Sequence, residues 1–145
     1  MSQEIKISRF YPYSADKVWQ ALTDPEAMNT WLMPVEDFQL KLNQKFRFKT
    51  KPGPGFDGIV NCEILEIDEP NTITYSWLGG SMKKPTIVKW HLKAIEDGTV
   101  VNLRHTGFVG FDGWMIKQIL TFGWRKITRK LLPTYLEETS AVKAS

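Results

Sequence analysis

A single histidine on the inward side of a strand is the residue best suited to chemistry in this sequence. Strand alternation places His105 on the same side as Val101 and Leu103, where a protein core is normally apolar. An imidazole in such a seam could act as a general base or hold a ligand by a hydrogen bond. His105 is therefore the one catalytic candidate, and Asp112, seven residues further on, is the carboxylate that could orient it.

The other reactive residues do not form the pattern of a metal site, a nucleophilic active site or a phosphate-binding loop. The lone cysteine, Cys62, excludes an internal disulfide and cannot form a thiolate metal cluster. His91 is expected on the outer face of its strand, so the two histidines cannot chelate one ion. There is no nucleophile signature and no phosphate-binding loop. We expect no metal and no cofactor, and we favour a binding role over a catalytic one.

Composition and charge narrow the class of protein. The 145 residues are 42% hydrophobic and 24% charged, which predicts one globular domain over 1–145. No apolar run reaches the roughly 20 residues that span a bilayer, and no signal peptide begins the chain, so we expect a cytoplasmic protein without stable membrane insertion. The net charge is +3, and the basic residues late in the chain are most simply the solvated face of a helix. We expect no nucleic-acid partner.

The order of elements predicts an α+β fold. A first strand, 4–11, is followed by two short helices that start at 15 and 25. Six further strands are predicted at 35–42, 45–51, 59–68, 72–78, 86–95 and 99–105. The first two of these would be joined by a two-residue hairpin at 43–44, and broken alternation after Ile64 indicates a bulge. Residues 106–113 form a glycine-rich bend.

The last predicted element is one long helix over 112–137. Its apolar residues recur at a helical spacing, so it must cover the inner face of the sheet. Pro133 is expected to kink or end its final turn.

The inward polar atoms between this helix and the sheet are few. They are the Tyr75 hydroxyl, the Trp77 and Trp90 indole N–H groups and the His105 imidazole. They could bond to one another in an aromatic core, or they could orient a small, largely apolar molecule. The predicted ligand-binding residues are Tyr75, Trp77, Trp90, Leu103, His105, Leu120 and Trp124. Four loop residues could gate the mouth of such a pocket: Phe56, Met82, Phe108 and Phe111.

Several segments resemble one branch of a known superfamily. Residues 18–26 read Val-Trp-Gln-Ala-Leu-Thr-Asp-Pro-Glu and are followed by Trp31. Three later stretches are Gly58-Ile59-Val60 with Pro70, Tyr75-Ser76-Trp77 with 86–90, and 105–108 before Gly113-Trp114. Together they resemble the SRPBCC (START-like, Bet v 1-like) superfamily, in the branch related to the C-terminal domain of the activator of Hsp90 ATPase.

The resemblance carries expectations about fold and function. It implies a helix-grip fold, in which a curved antiparallel sheet of six or seven strands and the last helix enclose a mostly apolar pocket. The expected partner is a small apolar molecule such as a lipid, a polyketide or an aromatic compound. Two alternatives stay open: contact with an Hsp90-type chaperone, and a cyclase or hydrolase acting in the same cavity. The chain could be a monomer or a homodimer.

Overall fold

The computed structural model describes residues 3–53, 56–80 and 82–144, with side chains up to residue 140. Strand β1 (Gln3–Tyr11) leads into helices α1 (Ala15–Thr23) and α2 (Pro25–Trp31). The strands that follow are β2 (Val35–Glu36), β3 (Lys45–Lys49), β4 (Ile59–Asp68), β5 (Thr72–Gly79), β6 (Thr86–Ile95) and β7 (Gly98–Phe108). The chain closes with α3 (Gly110–Lys126), a π-helical turn (Ile127–Leu131) and α4 (Leu132–Ala144).

Seven strands in the described residues form one antiparallel sheet in the order β1-β7-β6-β5-β4-β3-β2. The pairing sets Trp90 opposite both Ile73 and Leu103, and it sets Val88 opposite His105. These side chains are buried, whereas Lys89 and His91 alternate with them on the outer face. The α+β helix-grip fold is confirmed, and so are the predicted inner faces of the central strands.

The break in alternation along β4 is a bulge, as predicted. Its register against β5 shifts between Ile64 and Glu66. A bulge bends its strand and increases the local twist, so it contributes to the curvature that lets the sheet wrap around the helix.

The predicted strand at 35–42 is wrong beyond its first two residues. β2 ends at Glu36, and Asp37 takes a left-handed backbone conformation with φ 63°. Because β2 ends at Glu36, residues 37–44 connect it to β3 as an irregular loop rather than a two-residue hairpin, and Asn43 in this loop has φ 67°. This loop is tied to the next strand, because the Asn43 N–H donates to the Ile64 carbonyl at 2.8 Å. Phe38 is buried in the loop without belonging to a strand, which is why its alternation with polar neighbours was misleading.

The C-terminal helix also differs from the prediction. It starts at Gly110, because β7 continues to Phe108 and shortens the expected bend. It runs to Ala144, beyond the predicted end at Glu137, and Pro133 does not end it. Pro133 has no N–H to donate, and its ring would clash with the preceding turn of a regular α-helix. The π-helical turn that ends at Leu131, two residues before this proline, widens the helix there and lets it continue. The Tyr11 hydroxyl donates to the Thr128 carbonyl in this turn, at 2.6 Å.

The helix is packed unevenly along its length. Four residues at successive four-residue steps are buried: Trp124, Thr128, Leu132 and Leu136. Such steps exceed the 3.6-residue turn of an α-helix, and the wider π-helical turn takes up part of the excess. Toward the N-terminus, Ile116 and Leu120 are only half-buried. The α4 end packs on α1 and α2, whereas the α3 end leaves space above the sheet.

Candidate ligand site

His105 lies in a closed chain of hydrogen bonds. The Trp124 indole N–H donates to its Nδ1 at 3.0 Å, so the ring proton of the neutral imidazole is on Nε2. Nε2 then donates to the Thr86 hydroxyl at 2.6 Å. That hydroxyl in turn donates to the Trp77 carbonyl at 3.0 Å. Both ring nitrogens are therefore occupied by protein groups.

Burial keeps this imidazole neutral. The side chain is fully buried, and desolvation lowers the pKa of His105 from 6.5 to about 3. Asp112 is exposed and makes no hydrogen bond to the ring, so the predicted orienting carboxylate is not in place. Hydrogen bonds to Trp124 and Thr86 hold the ring in position instead. The sequence alone could not predict them, because they depend on how α3 packs on the sheet.

A second pair completes what we call the hydrogen-bonded layer: Tyr75, Thr86, Trp90, His105 and Trp124. The Trp90 indole N–H donates to the Tyr75 hydroxyl at 3.0 Å. Both side chains are fully buried, and burial raises the pKa of the Tyr75 phenol. In this layer each inward polar side chain has a partner within the protein, which matches the mutually bonded aromatic core that the sequence left as one alternative.

The empty space lies on the other side of Trp77 and Trp124. A cavity of about 390 Å³ is bounded by the sheet, α3 and two loops, and it opens to solvent. Three of the seven predicted ligand-binding residues line it: Trp77, Leu120 and Trp124. The other four, Tyr75, Trp90, Leu103 and His105, lie behind it in the packed core.

Sequence reasoning missed most of the rest of the lining. These residues are Met33, Thr50, Val60, Gly79, Gly80, Ile116, Ile119, Gly123 and Ile127. Phe56 and Met82, two of the predicted gating residues, also line the cavity. Phe108 is instead buried in the core, and Phe111 is exposed on α3. The glycines were the sequence feature that could have indicated the cavity, because a residue without a side chain beside an apolar stripe leaves space between the helix and the sheet.

Gly123 is the clearest of these openings. A Cβ built there would meet no atom within 4 Å among the described residues. Since Gly123 lies in α3 and borders the cavity, a side chain at this position would project into open space rather than into the core.

Trp77 differs from the other buried tryptophans in its polar atom. The indole N–H groups of Trp19, Trp31, Trp90 and Trp124 each donate to a protein acceptor. That of Trp77 has no acceptor among the described residues. Among the described residues, two fully enclosed side-chain polar atoms lack a partner, Gln3 Oε1 and Arg9 Nε, and the Trp77 N–H is not one of them. Trp77 itself lines the cavity, whose wall is otherwise apolar.

Within the ranges 3–53, 56–80 and 82–144, no group of three or more histidine, cysteine or acidic side chains is arranged to hold a metal ion. No helix in the same ranges is both long and apolar enough to cross a membrane.

Comparison with solved structures supports the fold. A protein from Mesorhizobium loti, MLL2253, superposes with a TM-score of 0.83 at 23% identity, over 94% of this chain and 98% of its own. CalU16 from Micromonospora echinospora gives 0.75 at 24% identity, over 93% of this chain and 66% of its own. DynU16, from the dynemicin biosynthetic locus, gives 0.72 at 20% identity, over 92% of this chain and 47% of its own.

The family assignment comes from the sequence itself. No curated protein matches the chain. The profile of the family described as Activator of Hsp90 ATPase homolog 1-like protein matches residues 12–137, which include both short helices, the strands β2 to β7 and most of the terminal helix. The chain belongs to this family, in the SRPBCC superfamily that its motifs indicated.

Proposed function

We propose that this protein binds one small, largely apolar molecule in the cavity between the sheet and α3. The observation that carries the proposal is the cavity itself, at about 390 Å³ and lined almost wholly by apolar side chains. Its size falls in the range of pockets that hold small organic ligands. A lipid chain, a polyketide or an aromatic compound has the required apolar surface.

The cavity also favours one polar feature in its ligand. Trp77 presents an indole N–H without an acceptor among the described residues, and the surrounding wall is apolar. A ligand oxygen at this point would gain a hydrogen bond to this N–H beside an apolar wall. We therefore propose a ligand with an apolar body and a carbonyl or hydroxyl group that reaches Trp77.

The hydrogen bonds of His105 favour binding over catalysis. A general base needs a free nitrogen and a pKa near the working pH. Both nitrogens of His105 are engaged, and its pKa is lowered to about 3. The layer that holds His105 instead provides a rigid floor for the cavity.

The proposal can be tested with a fluorescent apolar probe, N-phenylnaphthylamine, and two variants at Gly123. Gly123→Leu places a side chain in the cavity and should abolish the rise in probe fluorescence. Gly123→Ala is the matched control, because it gives a similar gain in helix propensity with only a methyl group, and it should bind as the wild type does. A wild-type chain that does not bind, or a Gly123→Leu chain that binds unchanged, would overturn the proposal.

The role of Trp77 can be tested with two ligands of the same size. Acetylnaphthalene carries a carbonyl oxygen and ethylnaphthalene does not. We expect acetylnaphthalene to displace the probe about fivefold more effectively, as one net hydrogen bond allows. In Trp77→Phe this preference should vanish, while affinity for ethylnaphthalene stays nearly the same. An unchanged preference in the variant would show that the donor is elsewhere.

Contact with an Hsp90-type chaperone stays a prediction from the family resemblance. It is checked by adding the purified chain to Hsp90 and measuring the ATPase rate. The Gly123→Leu chain separates the two roles, because filling the cavity should leave a surface contact intact.

A further inference from the structure

The N-terminal half of the last helix carries large apolar side chains on its outer face. This outer face of α3 consists of Phe111, Trp114, Met115, Ile119 and Phe122. Phe122 is 76% exposed, Phe111 is 71% exposed and Ile119 is 67% exposed. The Phe111 and Trp114 rings stack on each other at 6.0 Å, so they form one apolar surface. A helix that is apolar on nearly all sides normally has a partner on each side.

The face is continuous with the mouth of the cavity. Ile119 both belongs to it and lines the cavity, and Ile116 lies one turn away on the cavity side. Other exposed large apolar residues are scattered over the described surface and reach at most 54%, apart from Val109 next to this face. The exposed apolar surface is therefore concentrated where a ligand would enter or leave.

Positive charge is concentrated in the same segment. Residues 109–131 hold five basic residues and one acidic residue, whereas the rest of the chain holds fourteen basic and fifteen acidic residues. The excess positive charge of the molecule thus lies on this helix. Arg125 and Lys126 follow Phe122 by three and four residues, and Arg129 and Lys130 repeat that spacing one turn later.

These basic side chains form no ion pair with any side chain in the part of the chain that the structure describes. The ion pairs between described residues all lie on the outer face of the sheet and its loops, as between Arg104 and Glu4 or Lys49 and Glu36. None of them involves a residue of α3 or of the π-helical turn. Lys83 and Lys84 add exposed positive charge directly after Met82, which lines the cavity.

We propose that the outer face of α3 docks on an anionic lipid bilayer, with its apolar side chains in the headgroup region and its basic residues among the lipid charges. Exposed Phe, Trp, Met and Ile beside Arg and Lys are the composition of helices that lie in the membrane interface. The contact is a reversible one at the surface and needs no spanning helix.

Charge favours a bilayer over a second copy of the chain. Two copies joined through this face would each bring an excess of four positive charges into the contact, which is unfavourable. A bilayer supplies negative charge and an apolar layer together, and it lies against the cavity mouth. The docking does not depend on an occupied cavity, so it and the proposed ligand binding can fail separately.

The test is flotation of the full chain with vesicles. Vesicles of equimolar phosphatidylcholine and phosphatidylglycerol should carry the protein with them, and added salt should release it. Vesicles of phosphatidylcholine alone should bind it at least about 25-fold more weakly, since each basic residue near an anionic surface contributes a factor of about five.

Two variants and two controls separate the apolar from the basic part. Phe111→Ser with Phe122→Ser should lower vesicle affinity about tenfold, because these side chains would otherwise be removed from water. Arg125→Glu with Lys126→Glu should lower it by more than about 25-fold, because each substitution removes a positive charge and adds a negative one. Ile95→Ser and Lys93→Glu, which change exposed residues of β6, should have no effect.

Three outcomes would overturn the proposal. The first is a wild-type chain that floats with neither kind of vesicle, which leaves an acidic protein as the partner. The second is equal loss of binding in the β6 controls. The third is a dimer in sedimentation equilibrium that the Phe111→Ser, Phe122→Ser chain no longer forms, because a second copy would then cover the face.

Discussion

The polar atoms on the two sides of the Trp77–Trp124 pair differ in whether they have hydrogen-bond partners. The rings lie 5.3 Å apart and separate the hydrogen-bonded layer from the cavity. On the layer side, the polar groups of His105, Thr86 and Trp90 all have protein partners. On the cavity side, the Trp77 N–H has no acceptor among the described residues, and the wall around it is apolar.

This difference would let one fold serve both stability and the proposed ligand binding. Loss of any member of a hydrogen-bond chain in a core leaves a buried polar atom unpaired, which costs free energy. The chain therefore holds the strands and the helix in one arrangement. The cavity side keeps open space beside a donor that has no acceptor among the described residues, as the proposed ligand site needs. If the comparison is right, substitutions in the layer should destabilise the fold, and substitutions in the cavity should change binding.

Removing the imidazole should have the largest effect on stability. His105→Ala opens a void and strands the Trp124 N–H, which should lower the free energy of unfolding by about 3 to 5 kcal/mol. Leu120→Ala on the cavity side removes a half-buried side chain beside open space and should cost about 1 kcal/mol. Urea unfolding of both variants measures the contrast. Equal losses would mean that the two sides do not differ.

Replacing the hydroxyl that accepts from His105 should have a smaller effect. Thr86→Val keeps the shape of the side chain but leaves Nε2–H unpaired in the core, at a cost of about 1 to 3 kcal/mol. The matched substitution Thr50→Val lies at the exposed rim of the cavity and should stay within about 0.5 kcal/mol. A Thr86→Val chain as stable as the wild type would remove the hydroxyl from this account.

The neutral imidazole should make stability depend on pH. Because the pKa of His105 is about 3 in the folded chain and 6.5 as the ordinary value, the unfolded chain binds more protons between these values. Stability is then fully present above about pH 6.5 and falls as the pH is lowered, by about 2 kcal/mol from pH 7 to pH 5. The effect should be absent in His105→Gln.

The pH window separates this effect from that of the acidic residues. Arg104 and Lys49 lower the pKa values of Glu4 and Glu36 below 4.5, so the stability those carboxylates contribute is lost only as the pH falls below that value. A decrease confined to pH below 4.5 would therefore contradict the role given to His105.

Filling the cavity should raise stability slightly while it removes binding. Gly123→Leu replaces a glycine inside a helix and meets no atom within 4 Å, so it should add about 1 kcal/mol. Gly123→Ala should give a similar gain. Thermal unfolding of both chains checks this, and a destabilised Gly123→Leu chain would mean that the space is not open.

Strand alternation made much of the layer predictable. A period of two fixes which side chains of β5, β6 and β7 face inward, and it correctly placed Tyr75, Trp90 and His105 there. Their partners were not predictable, because the bond from Trp124 to His105 depends on the rotation and height of α3 above the sheet. For the same reason the sequence could not tell the closed layer from the open cavity.

The remaining errors come from irregular backbone. The loop after Glu36 and the π-helical turn before Pro133 have no period for a pattern to reveal. The cavity depends on both kinds of feature, since loops supply Thr50, Phe56 and Met82 and the packed α4 end fixes where α3 stands. The family resemblance gave the order of elements correctly but did not predict the irregular loop, the π-helical turn or the lining of the cavity.

The indole N–H resonances of isotope-labelled protein test the comparison most directly. The chain has six tryptophans, and titration with acetylnaphthalene should move the Trp77 signal strongly while those of Trp19 and Trp31, which donate to Glu69 and Ala21, stay in place. Ethylnaphthalene should move the Trp77 signal much less. A Trp77 signal that does not respond, or an equal shift of all six, would contradict a ligand held between the sheet and α3.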